Sequence, residues 1–355
     1  MNPPGGRTSS RKLDHLRICC DEMVETGDAG FADVLLVHNA LPECDMDRIS
    51  TGTRFLGHPF GAPLVIAAMT GGHPEATRIN ARLGAAAERF GLGIGVGSQR
   101  AALEDPAQVE SFRVVRDNAP SAFVIANLGA VQLRDRGADW ADRAVEMIGA
   151  DALAIHLNFL QEAIQPEGDR DATGCLEAIE RLCREAPYPV IVKETGNGIS
   201  GEVARRLFGA GVAAIDTGGL GGTSWAVIES IRARESGRPG DERLRALGET
   251  FRTWGLPTVF SLIECRRFGG PVIATGGVRT GIDAAKAIAL GASLAGMALP
   301  LLAPARAGQD ALDARIERVI DELRVAMFLT GSPDLAALSS ARTVLGGQIR
   351  SLIQP

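Results

Sequence analysis

Apolar residues fall along the chain in short unbroken runs, each ending in Gly, Ser, Thr, Asn or a charge. The runs cover residues 63–70 (PLVIAAMT), 92–98, 122–128, 152–158, 189–194, 213–217, 271–276 and 294–300. Runs of this length without alternation suit strands covered on both faces, as in a parallel sheet. Helical patterns lie between them. Residues 75–90 place Leu83 and Phe90 on one face; 173–185 and 200–208 look similar; the Ala-rich stretch 281–290 stops at Gly291, a good C-cap. Eight strand–helix alternations in one composition regime predict a closed (β/α)8 TIM barrel. A doubly wound open sheet is the alternative topology.

Two stretches fall outside the repeat. Residues 1–60 form an N-terminal extension of mixed polarity, and residues 1–10 (MNPPGGRTSS) lack an apolar signal region and are expected to be a mobile tail. Residues 234–256 interrupt the unit between the sixth and seventh strands, on the side where barrel loops build active sites. Residues 310–353 are expected to add one or two helices covering the barrel. The 355 residues thus read as one barrel domain with extensions.

Composition narrows the function. The net charge of -6 offers no bulk attraction for nucleic acid. No apolar run approaches the roughly 20 residues that span a bilayer. The six cysteines (19, 20, 44, 175, 183 and 265) form no CxxC pair and have no neighbouring His to suggest a zinc knuckle, so reduced thiols in a cytoplasmic protein are expected. An anionic ligand would need a local cluster of positive charge, and Arg7, Arg11, Lys12 and Arg17 supply a candidate.

Barrel enzymes carry their catalytic groups where strands end. Here those ends read MTGG (69–72), GSQR (97–100), Asn127, then His156 with Asn158, Gln161 and Glu162, then Lys193-Glu194, GGTSW (221–225) and GGVR (276–279). The segment TGGVRTG (275–281) opens a short helix and is followed by GMAL (296–299). Loops after strands seven and eight, with a helix N-terminus, commonly bind phosphate in this fold, and glycines let amides reach the oxygens. A glycine turn without a ligand is the plainer reading. Lys193 interrupts an apolar strand in a chain with only three lysines, at 12, 193 and 286. A buried ammonium is costly unless it is paired or used; the structural alternative is a carboxylate partner that merely closes the barrel. Lys286, in mid-helix, reads as packing or surface. His156 and Asn158 alternate and so share a face. Glu162 could hold magnesium, with its other ligands supplied by substrate phosphates and water. Trp225 follows a Gly-Gly-Thr-Ser turn and is placed to shield a reactive centre; Trp140 and Trp254 read as packing.

Together these motifs resemble the type 2 isopentenyl diphosphate isomerases. The matching segments are Arg11-Lys12 with His15, MTGG (69–72), GVGSQR (95–100), ANLGA (126–130) and HLNFLQE (156–162). VIVKETGNGIS (190–200), GGTSW (221–225), TGGVRTG (275–281) and GMALP (296–300) follow in order. The resemblance implies an FMN-containing barrel that interconverts isopentenyl and dimethylallyl diphosphate, with Mg2+, NADPH as reductant of the flavin, and a homo-oligomer of four or eight subunits. By motif, Ala68, Met69, Thr70, Gly71, Ser98, Asn127, Lys193, Gly218 and Thr223 would contact FMN. Gly276, Gly277, Val278, Arg279, Ala298 and Leu299 would hold its phosphate. Arg11, Lys12, His15, Ser98, Gln99, Arg100 and Gln161 would bind the substrate, Glu162 the magnesium, and Gln161, Lys193, His156 and Asn158 would serve catalysis. One departure is DTGG from Asp216, where many relatives resemble DVSG. Either a hydroxyl contact to the flavin is lost at Gly218, or Thr217 replaces it.

The implied reaction protonates an alkene carbon and removes a proton from another, which requires a dry, accurately built site. A first rival is an FMN-dependent 2-hydroxy-acid oxidase, which needs a loop His beside an Arg; here the last His is His156. A second is a flavin- or phosphate-binding barrel without catalysis.

Overall fold

The computed structural model describes residues 4–238 and 240–353. Eight parallel strands close into a barrel. They are β1 (Leu64–Ile66), β2 (Gly93–Gly95), β3 (Val124–Gly129), β4 (Ala152–Leu157), β5 (Val190–Glu194), β6 (Ala214–Asp216), β7 (Val272–Ala274) and β8 (Leu294–Met297), one in each apolar run. β8 pairs with β1, which closes the ring. Helices Pro74–Phe90, Cys175–Glu185, Gly201–Gly209 and Gly281–Ala289 occupy the predicted helical stretches. The last is started by a capping box between Thr280 and Asp283. Gly291, at φ 98°, follows it.

Strand alternation sorts the side chains into two cores. Leu64, Ile66, Ile94, Val124, Leu128, Val192 and Ile215 face outward, under the helices. Val65, Ile125, Ala154, Ile191, Ala214, Ile273 and Leu294 face into the barrel. A hairpin of Thr53–Phe55 and His58–Phe60 floors this inner layer. Its Phe55 meets Phe123 edge-on, with ring centroids 5.9 Å apart. Burying each large apolar side chain stabilises by about 1.5–3 kcal/mol, so floor and wall hold each other. Two residues further along each strand the inward position changes character. It is very small at Ala67, Gly95 and Gly296, and polar at Asn127, His156, Lys193, Asp216 and Thr275.

The extension differs from expectation. Residues 4–10 belong to a helix, Pro4–Asp21, rather than to a mobile tail. Residues 1–3 and the side chain of Arg7 lie outside the described residues. Ile18 anchors this helix, fully buried against Val227, Ile228 and Ile231. Strand Val34–Leu36 pairs antiparallel with Thr343–Leu345, so the C-terminal stretch is not purely helical; Gln309–Leu329 and Gly347–Ile353 are its longer helices. The insertion forms helix Asp241–Thr250, packed on Trp225–Ser236.

Candidate active site

A cavity opens at the C-terminal ends of the strands, beneath the N-terminal helix. All eight strand ends contribute to its lining, and Arg11, Lys12 and His15 come down on it from the helix. Burial and the neighbouring Arg11 pull Lys12 down to about 8. Arg17 instead pairs with Glu235, away from the cavity. Trp225 lines the cavity and meets His15 edge-on, ring centroids 5.0 Å apart. By contrast, Trp140 stacks under Arg136 and Trp254 is exposed, as expected of packing and loop residues. No described residue of 234–256 lines the cavity; the insertion braces it, Arg252 O accepting the Ser224 hydroxyl at 3.1 Å.

The floor is a polar ring with fixed orientations. Asn127 Nδ2 donates to Val96 O at 2.9 Å, which turns its Oδ1 toward His156 Nδ1, 2.8 Å away. A carboxamide oxygen accepts only, so His156 carries its proton on Nδ1 and keeps Nε2 as an acceptor. Burial, then the nearby Lys193 and Lys12, hold the imidazole well below its usual pKa, and it is neutral. Lys193 lies beside it across β4 and β5. Its ammonium makes one hydrogen bond, 3.3 Å to Glu194 O, and no ion pair within 4.0 Å among the described residues. Burial lowers its pKa, opposed by Asp216 and Glu194. The carboxylate clamp considered from the sequence is therefore absent as a direct contact. Asp216 is engaged elsewhere, accepting from the Thr275 hydroxyl and from Gly218 N.

Thr217 is fully buried and donates to Thr275 O at 3.1 Å, outside the cavity lining. Gly218 sits at φ 46°, where a Cβ would lie 2.0 Å from Glu194 O. The hydroxyl at the cavity wall belongs to Thr275.

Gln161 is held from both ends. Its Nε2 donates to Glu229 Oε1 at 3.0 Å, and its Oε1 accepts from Asn158 Nδ2 at 3.2 Å. Glu229 also faces His15 Nε2 at 2.9 Å and pairs with Arg232. Burial opposes its ionisation, yet His15 and Arg232 outweigh that and hold Glu229 near 2. Glu162 accepts from Asn158 at 2.9 Å, from Gln165 and from Asp169 N at 2.8 Å. Among the described residues no three His, Cys, Asp or Glu cluster as metal ligands. Gln165 Oε1 is buried without a hydrogen-bond partner, so the oxygens present suit at most one or two positions around a hard cation.

The opposite wall is backbone. Added Cβ atoms would collide at Gly222 (2.7 Å from Gly277 N), Gly276 (2.1 Å from Gly219 O) and Gly296 (1.9 Å from Thr275 Cγ2). Arg279 stands beside this cradle and pairs with Glu25. Small residues leave room for a planar ring, glycine backbone suits a phosphate and Lys193 suits negative charge, so the residues present fit FMN.

Comparison with known proteins decides the family. An isopentenyl-diphosphate delta-isomerase of Methanoregula boonei is 62% identical over 98% of this chain and 96% of its own. That of Archaeoglobus fulgidus is 52% identical over 98% of each chain. This chain belongs to the isopentenyl-diphosphate delta-isomerase family. The FMN-dependent dehydrogenase family model also matches residues 157–344. A mandelate oxidase structure, 19% identical, aligns over 96% of this chain and 98% of its own with a TM-score of 0.63, a likeness of fold.

Against this family background, most sequence-predicted residues meet at one cavity: Ala68, Met69, Thr70, Ser98, Arg100, Asn127, His156, Asn158, Gln161, Glu162, Lys193, Gly218, Thr223, Gly276, Gly277, Arg279, Ala298 and Leu299. Three do not line it. Gln99, expected to bind substrate, is wholly buried and donates to Ala144 O at 2.8 Å while accepting from Asn127 N, so it braces β3 instead. Gly71 packs against Phe112, where a Cβ would lie 2.1 Å from the ring. The Val278 side chain is turned into the core. Sequence reasoning missed Glu229, Thr275, Gln132 and Gln165. Glu229 had a readable signal: an acid directly after the apolar run WAVI (225–228).

Proposed function

We propose that this protein interconverts isopentenyl diphosphate and dimethylallyl diphosphate by a 1,3-proton shift over reduced FMN. The observation that carries the reading is Lys193, a half-buried ammonium at the cavity wall with one weak hydrogen bond, set in a ring whose facing wall is glycine backbone. When bound, reduced FMN would supply the acid and base that exchange protons with the substrate carbons. Lys193, lining the cavity, would favour negative charge on a ring bound there. Neutral His156 and Asn127 present fixed donors and acceptors to the same face. Gln161, clamped between Glu229 and Asn158, positions the reacting end of the substrate. Arg11, Lys12, His15, Ser98 and Arg100 receive the diphosphate. Glu162 would hold Mg2+ together with the phosphate oxygens of the substrate. Trp225, Met69, Leu299 and Leu302 keep water from a cationic alkene centre. The reaction has no net redox change, and NADPH serves only to reduce the flavin beforehand. The protein acts in the cytoplasm as a homo-oligomer of four or eight subunits.

The fold likeness to mandelate oxidase raises 2-hydroxy-acid oxidation as a second reading, but no His follows His156 to act as its base. The test is an anaerobic assay with reduced FMN, Mg2+ and isopentenyl diphosphate. Wild type should form dimethylallyl diphosphate. Gln161→Ala should lose at least about 100-fold in turnover, as for a lost positioning contact, while staying yellow. Lys193→Ala should lose flavin or turnover. Colourless protein, or full activity in both variants, would overturn the reading.

A further inference from the structure

The loop after β4 places two acids against the guanidiniums of the cavity mouth. Glu167 Oε1 lies 3.5 Å from Arg11 Nη1 and 3.4 Å from Arg232 Nη2. These two arginines sit on different elements, the helix Pro4–Asp21 and the helix Trp225–Ser236. Arg232 in turn pairs with Glu229, which receives the Gln161 amide. Asp169 Oδ2 lies 3.2 Å from Arg100 Nη1.

The loop is rigid. Pro166 limits its backbone. Asp169 N donates to Glu162 at 2.8 Å, and Gly168 N to Gln165 O at 3.2 Å. A Cβ on Gly168 would lie 1.8 Å from Glu162 O, so the loop closes that tightly only with glycine there. Glu167 is thus presented from a fixed base. Arg11 lines the cavity, so its guanidinium stands within reach of a ligand there while Glu167 holds Nη1.

We propose that Glu167 is a positioning residue: it ties the N-terminal helix to the barrel so that Arg11 faces the diphosphate. This rests on the reading that Arg11 binds the diphosphate. An exposed ion pair alone is worth little. Here one carboxylate joins two guanidiniums, and its effect falls on where Arg11 stands.

The test compares wild type, Glu167→Gln, Arg11→Gln and the double variant in the anaerobic assay, with flavin absorbance as a control for loading. Arg11→Gln should raise KM for isopentenyl diphosphate. Glu167→Gln should raise KM about five-fold, the factor that corresponds to a contact of about 1 kcal/mol, with kcat and flavin binding unchanged. The double variant should match Arg11→Gln alone, because Glu167 acts through Arg11. Should KM stay at the wild-type value or fall in Glu167→Gln while Arg11→Gln raises it, the positioning role is overturned and the diphosphate reading survives. Additive effects in the double variant overturn it in the same way. An unchanged KM in Arg11→Gln overturns the diphosphate reading itself, and this proposal with it.

Discussion

His156 and Lys193 are neighbours across β4 and β5; His156 is buried and Lys193 is half-buried at the cavity wall. Two basic groups side by side in low dielectric cannot both hold a charge cheaply, and the weaker base yields first. Histidine therefore stays neutral and is oriented by Asn127. A pH dependence follows. The unfolded His156 titrates near 6.5, whereas the folded one titrates well below it. Between those values the unfolded chain binds the extra proton, so stability is full above 6.5 and is lost as the pH falls beneath it. The slope is at most about 1.4 kcal/mol per pH unit. Urea midpoints of wild type and His156→Asn should converge or cross as the pH drops. Glu194, which burial pushes up to about 7, contributes with the opposite sign in both proteins and cancels in the difference. Parallel curves would mean that His156 titrates normally.

The turn after β7 is an element built from close approach. Gly276 has φ 99°, and a Cβ on it would meet Gly219 O at 2.1 Å. Gly209, at the end of helix Gly201–Gly209, has nothing within 4 Å of that position. The same substitution should therefore act oppositely at the two sites. Gly276→Ala should cost about 1–3 kcal/mol of backbone strain and strip flavin during gel filtration. Gly209→Ala should leave flavin in place and stabilise by about 0.5–1 kcal/mol. Equal flavin content in the two variants would remove the cradle from the phosphate site.

At the scale of the molecule, the net charge is -6, yet Arg11, Lys12 and Arg100 gather at the cavity mouth. Attraction for a diphosphate is thus local and works against the overall field. The Debye length shrinks from about 10 Å at 0.1 M salt to about 3 Å at 1 M. KM for isopentenyl diphosphate should climb over that range while kcat, measured at saturation, stays level. A flat KM would mean that charge at the mouth contributes nothing to capture. The described helices include none long and apolar enough to cross a membrane.

The run-and-break pattern of the chain by itself specified eight strands, their order and the polar character of their ends, because strands buried on both faces must be continuously apolar until they reach a ligand. It also singled out Lys193, since an ammonium in the apolar run VIVKE is costly unless it is paired or used. It could not separate Gln99 from Arg100, two polar neighbours at one strand end, of which one turned inward to brace β3. Nor could it show Glu229 reaching Gln161 from 68 positions away. Those outcomes depend on where helices dock and which way each side chain turns at the barrel rim. Contacts of that kind join residues remote in sequence, and local periodicity carries no record of them.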